Sequence, residues 1–279
     1  MTMPLLTPAS VRALLGEHGL RPSRRRGQHF LADPNTARRI VRLARVEPGD
    51  RVLEIGAGLG SLTLALRERE CSVLAVEIDP RLVSILESEM GDDPDVRVVA
   101  GDALTVDLDA LLGAGPWRCV SNLPYNVATP VVIRLLDEAP TVASGLVMVQ
   151  REVAQRLVAG PGTPAYGAPS VRVAYYAEAK IVGTVPRAVF VPVPKVDSAL
   201  VELIRRDTPP VDVPSRARLF ELVRAGFAHR RQMLRRTLRP VLGERTTSVL
   251  TDAHVDPRAR AESLGLPEWA ALANAEVAS

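Results

Sequence analysis

The chain alternates short apolar runs with longer segments in which apolar residues recur at helical spacing. Five of these runs have the length of buried strands and cover residues 51–55, 72–77, 96–100, 118–121 and 146–150. Two further apolar segments, around 171–182 and 198–204, complete the predicted set. Short apolar strands that alternate with helices are typical of parallel sheets covered on both faces. The pattern therefore predicts an α/β fold with a mostly parallel, seven-stranded sheet.

Helices are predicted on both sides of this strand-rich region. An amphipathic stretch lies within residues 1–20, and Asp33-Pro34 supplies a cap and a first-turn proline for a helix over residues 34–46. A proline-rich linker over residues 207–214 then leads into a helical segment that is rich in arginine. The predicted units are an α/β domain over residues 1–206 and a small C-terminal helical domain over residues 207–279.

Unusual residues follow the predicted strands at their carboxyl ends, where open α/β sheets bind ligands. The first strand runs into a glycine-rich loop, Glu54-Ile-Gly-Ala-Gly-Leu-Gly60, which lets the backbone turn tightly and a ligand approach closely. Glu77 ends the second strand, where an acid can accept hydrogen bonds from ribose hydroxyls. Both features fit a nicotinamide dinucleotide and S-adenosylmethionine equally, although Ser61 stands where the dinucleotide pattern requires its third glycine.

The third strand ends in Gly101-Asp102-Ala103. The Asp102 carboxylate can accept a hydrogen bond from an adenine amino group, and Ile78 and Ala103 offer apolar contacts to the adenine ring. The same aspartate also fits a helix cap, which does not exclude binding.

Asn122-Leu123-Pro124-Tyr125, at the end of the fourth strand, is the most specific motif. The Asn122 side chain and the Leu123 backbone each offer a carbonyl that can accept from an adenine N6 amine, while Tyr125 can stack on a flipped-out base. Such an arrangement favours methyl transfer by alignment and electrostatics, without a strong general base. Taken alone, the tetrapeptide also fits a simple proline turn beside a core tyrosine.

Composition limits the remaining classes of function. The 279 residues are 47% hydrophobic and 24% charged, which is typical of a soluble globular protein. No signal-peptide core and no apolar stretch long enough to span a bilayer is evident, so a cytoplasmic location and no membrane partner are expected. Cys71 and Cys119 are far apart and the histidines lack ligand spacing, so neither a disulfide nor a metal is expected. With no exposed apolar stripe evident, a monomer is expected.

The net charge is only +3, but the arginines are clustered. One cluster comprises Arg21, Arg24, Arg25 and Arg26, followed by Arg38, Arg39, Arg42 and Arg45. The other comprises Arg216, Arg218, Arg224, Arg230, Arg231, Arg235, Arg236 and Arg239. A run of arginines is often a solvated helix face. Because these clusters flank the motifs and contain few acids, we favour contact with nucleic-acid phosphates.

Together these motifs resemble the KsgA (RsmA) family of small-subunit ribosomal RNA adenine dimethyltransferases. The resemblance extends from about Arg25 to Leu264. It rests on residues 27–31, 52–63, 76–79, 101–104, 122–126 and 190–198, with further matches at 150–156, 161–162, 166–167 and 227–234.

The resemblance implies a Rossmann-like class I methyltransferase domain that binds S-adenosylmethionine, followed by an RNA-binding helical domain. The candidate cofactor-binding residues are Gln28, His29, Leu31, Gly56, Gly58, Glu77, Ile78, Asp102, Ala103 and Asn122; many relatives have asparagine at position 29. The candidate catalytic residues are Asn122, Leu123, Pro124, Tyr125 and Phe190, with Phe190 stacking on the base opposite Tyr125. The candidate RNA contacts are Arg24, Arg25, Arg26, Arg230, Arg231, Arg235 and Arg236.

The implied substrate is two adjacent adenines in a hairpin loop near the 3′ end of 16S ribosomal RNA, each dimethylated on N6 within a partly assembled small subunit. Loss of such enzymes is associated with kasugamycin resistance. An Erm-type enzyme that methylates a large-subunit adenine shares the fold and most motifs, but typically carries isoleucine within the tetrapeptide. The intact motifs argue against a non-catalytic assembly factor. The lack of a separate target-recognition domain argues against a DNA adenine methyltransferase, and the Asn122–Tyr125 motif and the arginine clusters argue against a dinucleotide-dependent enzyme.

Overall fold

The structure is a computed structural model that describes residues 4–23 and 26–278. Its strands are β1 (Phe30–Leu31), β2 (Arg51–Ile55), β3 (Ser72–Glu77), β4 (Val96–Ala100), β5 (Trp117–Asn122), β6 (Val142–Gln150), β7 (Ala177–Val185), β8 (Phe190–Val191) and β9 (Ser198–Arg205). Its helices are α1 (Pro8–Glu17), α2 (Pro34–Leu43), α3 (Ser61–Arg67), α4 (Pro80–Met90), α5 (Leu108–Leu112), α6 (Ala128–Glu138), α7 (Arg151–Val158), α8 (Ala168–Tyr176), α9 (Arg216–Phe227), α10 (Leu234–Thr237), α11 (Arg239–Leu242), α12 (Thr246–Asp252) and α13 (Leu266–Ala278).

Within the described residues, seven strands form one sheet in the order β4-β3-β2-β5-β6-β9-β7. The pairs β3–β4, β2–β3, β2–β5 and β5–β6 are parallel, whereas β9 runs antiparallel to β6. The prediction of a mostly parallel, seven-stranded sheet is confirmed. A separate ribbon of β1 and β8 pairs Phe30 with Val191 and Leu31 with Phe190 in antiparallel register.

The central strands are buried along nearly their whole length. In β2 and β3 every residue after the first is buried, as expected for parallel strands with both faces covered. The side chains of Val52, Leu53 and Val120 are completely inaccessible to solvent. Because β2, β3, β4 and β5 are parallel, their carboxyl ends lie along the same edge of the sheet, and the loops that follow them come together there.

Both N-terminal helices form where the sequence predicts them. The Asp33 carboxylate accepts a hydrogen bond from the Thr36 amide at 2.6 Å, which caps α2. This helix ends at Leu43 rather than at residue 46, because Arg45 adopts a left-handed conformation with φ of 52° that a continuing helix does not allow.

The prediction of a single strand around residues 171–182 is wrong. Its first part belongs to α8, and β7 begins only at Ala177. Pro169 occupies the first turn of α8, and the Ser170 hydroxyl accepts a hydrogen bond from the Gly167 amide at 3.1 Å. These start signals are local, whereas the apolar run is compatible with either a helix or a strand.

The chain divides into two compact units, and unit 1 comprises the described part of Met1–Ala154 together with Ala179–Arg205. Unit 2 comprises Gln155–Glu178 and the described part of Arg206–Ser279. The break at Arg205 lies beside the predicted boundary after residue 206. Residues 155–178 differ from the expectation, because they group with the C-terminal helices although the sequence analysis placed them in the first domain.

Unit 2 is built around Trp269 of α13, whose side chain is completely buried. A Cβ atom at Gly226 of α9 would lie 2.4 Å from the Trp269 ring, so the absence of a side chain allows the two helices to pack closely. Arg218 pairs with Glu276 and Glu221 and so links α9 to α13. No helix in the described part of the chain is long and apolar enough to cross a membrane.

Candidate active site

Unit 1 contains a cleft at the carboxyl edge of its parallel strands. Gly56 follows β2, Glu77 ends β3 and Asn122 ends β5, so three separate strands deliver residues to the same place. The cleft is lined by residues 26–31, Glu54, Gly56–Leu59, Ser61, Leu62, Glu77, Ile78, Leu82 and residues 122–125. This is the position at which α/β sheets of this kind bind ligands.

The glycine loop turns through left-handed backbone conformations, with φ of 76° at Gly56 and 60° at Gly58. It also lies against two other segments of the site. A Cβ atom at Gly56 would lie 3.0 Å from Pro124 Cδ, and one at Gly58 would lie 3.1 Å from Phe30 Cδ1. Glycine is therefore required here both for the turn and for the close approach of the neighbouring segments.

Glu77 presents a carboxylate that the backbone holds in place. One oxygen accepts from the Gly58 amide at 3.0 Å and the other accepts from the Asp79 amide at 3.0 Å. Burial raises the pKa of this carboxyl above its ordinary value, and the two amide hydrogen bonds act in the opposite direction. Each oxygen keeps acceptor capacity for a further donor, which suits a ligand that carries hydroxyl groups.

Glu54 is a buried acid that the sequence analysis did not select as a site residue. Its side chain is 1% exposed, and the Thr63 hydroxyl donates to Glu54 Oε2 at 2.6 Å. Burial raises the pKa of Glu54 to about 8. The available signal was a charged residue inside an otherwise apolar strand, because such residues are rarely buried without a specific reason.

Residues 26–31, which we call the N-terminal strap, border the cleft opposite the glycine loop. Asp79 anchors the strap, since its carboxylate is 2.6 Å from the Arg26 guanidinium and accepts from Gln28 Nε2 at 3.4 Å. The same carboxylate accepts from the Arg81 guanidinium at 3.0 Å. The hydrogen bonds from Arg81 and the positive charges beside it lower the pKa of Asp79 to about 2, so it stays ionised.

The Asn122–Tyr125 turn contacts the strap directly. Asn122 Nδ2 donates to the His29 carbonyl at 3.3 Å, which leaves the Asn122 side-chain oxygen as the acceptor of the amide group. The Leu123 amide donates to the Met148 carbonyl at 3.1 Å and fixes the turn to β6. Two carbonyl groups are thus offered in succession, one from the Asn122 side chain and one from the Leu123 backbone.

Tyr125 is held at both its hydroxyl and its ring. Its hydroxyl lies 2.6 Å from Ser198 Oγ. The His29 ring packs against the Tyr125 ring with a centroid distance of 5.2 Å and an interplanar angle of 31°. Burial raises the pKa of Tyr125, and the Ser198 hydrogen bond partly offsets that effect, so the phenol stays protonated.

Comparison with known proteins identifies the family. The model of the family described as "Ribosomal RNA adenine dimethylase" matches residues 20–276. The chain belongs to the ribosomal RNA adenine dimethylase family. The protein named ribosomal RNA small subunit methyltransferase A from Thermobifida fusca strain YX is 49% identical over 276 residues, covering 96% of this chain and 95% of that protein. Its namesake in Geobacillus sp. strain WCH70 is 40% identical and covers 99% of this chain and 98% of that protein.

Two solved structures show the same fold as this family member. A dimethyladenosine transferase from Plasmodium falciparum superposes with a TM-score of 0.70 at 25% identity, covering 88% of this chain and 96% of that one. The 23S rRNA methyltransferase ErmE superposes with a TM-score of 0.65 at 30% identity, covering 88% of this chain and 98% of that one. The chain therefore has the class I methyltransferase fold.

The cleft of this family member brings together most of the candidate cofactor-binding residues. It is lined by Gln28, His29, Leu31, Gly56, Gly58, Glu77, Ile78 and Asn122. Asp102 and Ala103 are half-buried and do not line it. Asp102 instead accepts from the Leu104 amide at 2.9 Å, and the Ala103 carbonyl accepts from Arg134 at 2.6 Å. Contact between these two residues and an adenine stays a prediction.

Phe190 lies in the β1–β8 ribbon opposite Leu31 and is 1% exposed. The side chain therefore belongs to the core of unit 1, and it is not among the residues that line the cleft. Stacking of Phe190 on a target base stays a prediction, and it requires this ring to become accessible.

The candidate RNA-contact residues differ in what they bind within the protein. Arg24 and Arg25 lie outside the described residues, and Arg26 is paired with Asp79. Arg230 is paired with Glu262 at 3.0 Å and donates to the Pro164 carbonyl. Among the candidate residues in unit 2, Arg231, Arg235 and Arg236 are exposed. Phosphate contact by any of these arginines stays a prediction, and the exposed three offer it without breaking an internal ion pair.

Proposed function

We propose that this protein transfers methyl groups from S-adenosylmethionine to N6 of two adjacent adenines in the 3′-terminal hairpin loop of 16S ribosomal RNA, during assembly of the small subunit. The observation that carries the proposal is the Asn122–Tyr125 turn at the end of β5, which borders the same cleft as the glycine loop and Glu77. Membership in the ribosomal RNA adenine dimethylase family and relatives named ribosomal RNA small subunit methyltransferase A support the choice of substrate.

The residues of the cleft fit an adenosine-bearing cofactor. Glu77 offers buried acceptors for ribose hydroxyls, and the neighbouring Ile78 is 47% exposed, a large apolar surface at the rim against which an adenine can pack. The left-handed glycines at positions 56 and 58 leave backbone without side chains along the cleft. When bound, S-adenosylmethionine supplies an electrophilic methyl group.

The chain's own contribution to the reaction is alignment. The Asn122 side-chain oxygen and the Leu123 carbonyl accept hydrogen bonds from the adenine N6 amine and orient its lone pair. Tyr125 stacks on the flipped-out base and holds it in the plane that these acceptors require. No strong base is needed, because the methylated nitrogen loses its proton readily.

The direct test is methyl transfer to purified ribosomal subunits. Unmethylated small subunits and large-subunit RNA are incubated in parallel with labelled S-adenosylmethionine, and the products are digested to nucleosides and separated. We expect N6,N6-dimethyladenosine from the small-subunit reaction alone. Asn122→Ala should abolish transfer, whereas Asn35→Ala, which removes an exposed asparagine of α2, should not.

The alternative outcomes are informative. Label in large-subunit RNA would make this an Erm-type enzyme, an alternative that the match to ErmE at 30% identity keeps in view. Absence of label from both RNAs, with intact binding to the small subunit, would favour an assembly factor. Full activity of Asn122→Ala would remove the proposed role of the turn.

A further inference from the structure

Ser198 is a completely buried residue that no part of the proposed reaction uses so far. It begins β9 and lies opposite Gln150, at the end of the antiparallel β6–β9 ladder. Its hydroxyl lies 2.6 Å from the hydroxyl of Tyr125, which is 73 residues away in the sequence. Because the Ser198 hydroxyl is buried within a strand, it is a rigid attachment point for the half-buried Tyr125, and breaking the pair would leave a buried polar group unsatisfied.

The segment just before Ser198 is itself fixed. Asp197 Oδ1 accepts from the Arg187 amide at 2.9 Å, and the Asp197 carbonyl accepts from the Arg151 amide at 3.1 Å. Both contacts hold the backbone that carries the Ser198 hydroxyl. The position of that hydroxyl is therefore set by the sheet and its flanking turns, and it can act as a reference for Tyr125.

His29 restrains the same tyrosine from its face. The His29 ring packs on the Tyr125 ring, while His29 Nδ1 lies 2.8 Å from the Pro192 carbonyl oxygen. A carbonyl can only accept, so Nδ1 carries the proton and donates it. The imidazole is thus fixed to the segment after β8 and lies against the Tyr125 ring.

These restraints act on different motions of one side chain. The hydrogen bond at the phenol oxygen limits the swing of the ring, and the packed imidazole limits its tilt. The His29 ring lies against the Tyr125 ring at a tilt of 31°, so we expect the base to stack on the face of Tyr125 that His29 does not contact. The orientation of the stacked base then follows the orientation that Ser198 and His29 impose on the tyrosine.

We propose that Ser198 and His29 are positioning residues that fix the Tyr125 ring for stacking of the target adenine, and that they affect the rate of methyl transfer more than cofactor binding. The proposal rests on the proposed role of Tyr125. A purely structural role for the two residues makes a different prediction, namely loss of thermal stability without a specific loss of rate.

A double-mutant cycle separates the two explanations for Ser198. Methyl transfer to small subunits is measured for Tyr125→Phe, Ser198→Ala and the double variant, with S-adenosylhomocysteine affinity from calorimetry and the thermal midpoint of each protein. Each single variant should lower kcat by about 10-fold to 100-fold, because a small misplacement of reacting groups has effects of this size, while cofactor-product affinity stays unchanged. The double variant should be no slower than Tyr125→Phe, because both changes break the same hydrogen bond.

Ser170→Ala is the matched control for Ser198→Ala. Ser170 is also buried, at 1% exposure, and its hydroxyl donates to the Arg156 carbonyl, far from the turn in sequence and within unit 2. It should lower the thermal midpoint and leave kcat near the wild-type value. Additive losses in the double-mutant cycle, or equal losses of kcat in Ser170→Ala and Ser198→Ala, would overturn the proposal for Ser198.

The two functions of the His29 side chain are separated by two substitutions. His29→Phe keeps a flat ring against Tyr125 but cannot donate to Pro192, whereas His29→Asn keeps a donor and loses the ring. Both should lower kcat less than His29→Ala does, with smaller changes in S-adenosylhomocysteine affinity. A loss of affinity without a loss of kcat in His29→Ala would show that the side chain serves the cofactor instead.

Tyr125→Ala distinguishes failure of this inference from failure of the proposed function. If Tyr125→Ala is inactive while Ser198→Ala and His29→Ala transfer methyl groups at the wild-type rate, only the positioning role is refuted. If Tyr125→Ala keeps full activity, the proposed stacking of the adenine on the Asn122–Tyr125 turn is refuted as well.

Discussion

Replacement of Glu54 by glutamine should stabilise the fold, and increasingly so at higher pH. Burial moves the pKa of Glu54 from 4.5 to about 8, so the folded protein prefers the protonated acid. For a group whose pKa is raised by folding, the stabilising contribution is complete below the unfolded value and is lost as the pH rises through the folded value. At 1.36 kcal/mol per unit of pKa shift, ionisation of Glu54 should lower the free energy of unfolding by about 5 kcal/mol between pH 4 and pH 9.

Glu54→Gln removes this cost and keeps the local hydrogen bond. The glutamine oxygen can still accept from the Thr63 hydroxyl, which donates to Glu54 Oε2 at 2.6 Å. Urea unfolding of both proteins at pH 5, 7 and 9 gives the free energy of unfolding at each pH. The advantage of Glu54→Gln should grow from pH 5 to pH 9 by several kcal/mol, on the order of the value above.

Glu87→Gln is the control for this experiment, because it removes an exposed carboxylate from α4. A difference between wild type and Glu54→Gln that does not change with pH would refute the reasoning. It would mean that the buried carboxyl has the same proton affinity in the folded and unfolded chains.

Three further predictions concern the Asp79 ion pairs, the exposed arginines Arg231, Arg235 and Arg236, and the Arg230–Glu262 pair. Asp79→Asn should lower the free energy of unfolding at pH 7 by about 1–2 kcal/mol, a value reduced for screening because Arg81 is exposed. Folding lowers the pKa of Asp79 to about 2. The difference in free energy of unfolding from wild type should therefore shrink as the pH falls from 4 to 2, which urea unfolding at each pH would measure. Replacing Arg231, Arg235 and Arg236 by glutamate should weaken small-subunit binding and leave the thermal midpoint unchanged. Filter binding over a salt series should show that the slope of log K against log salt concentration falls in magnitude by about 0.7–0.9 for each phosphate that is no longer neutralised. Arg230→Gln should instead lower the thermal midpoint, because it breaks the pair with Glu262.

The sheet and the position of the site follow from local sequence. Residues 72–77 were predicted as a strand and form β3, because a short apolar run next to a helix start has few other solutions. The glycine loop and Asn122 were placed at the carboxyl edge by the same logic. These features depend on neighbours in the chain, so the sequence alone specifies them.

The interactions that complete the site depend on distant parts of the chain. Gln28 and Asp79 are 51 residues apart, and no spacing rule joins them. The protonation preference of Glu54 depends on complete burial, which only the assembled sheet creates. The grouping of residues 155–178 with unit 2 is likewise a matter of tertiary packing, since their apolar pattern fits either unit.

His29 connects the two sides of the proposed reaction through its backbone and its side chain. Its carbonyl accepts from Asn122, its ring packs on Tyr125 and donates to Pro192, and its neighbour Phe30 pairs with Val191 in the β1–β8 ribbon. The strap and the Asn122–Tyr125 turn, which we propose to contact the cofactor and the adenine, are therefore joined at His29. A displacement of the strap would break a hydrogen bond to Asn122 and the ring packing on Tyr125 together. The proposed reaction depends on alignment rather than on a strong acid or base, and in that reaction this shared attachment would position the cofactor and the adenine through the same few residues.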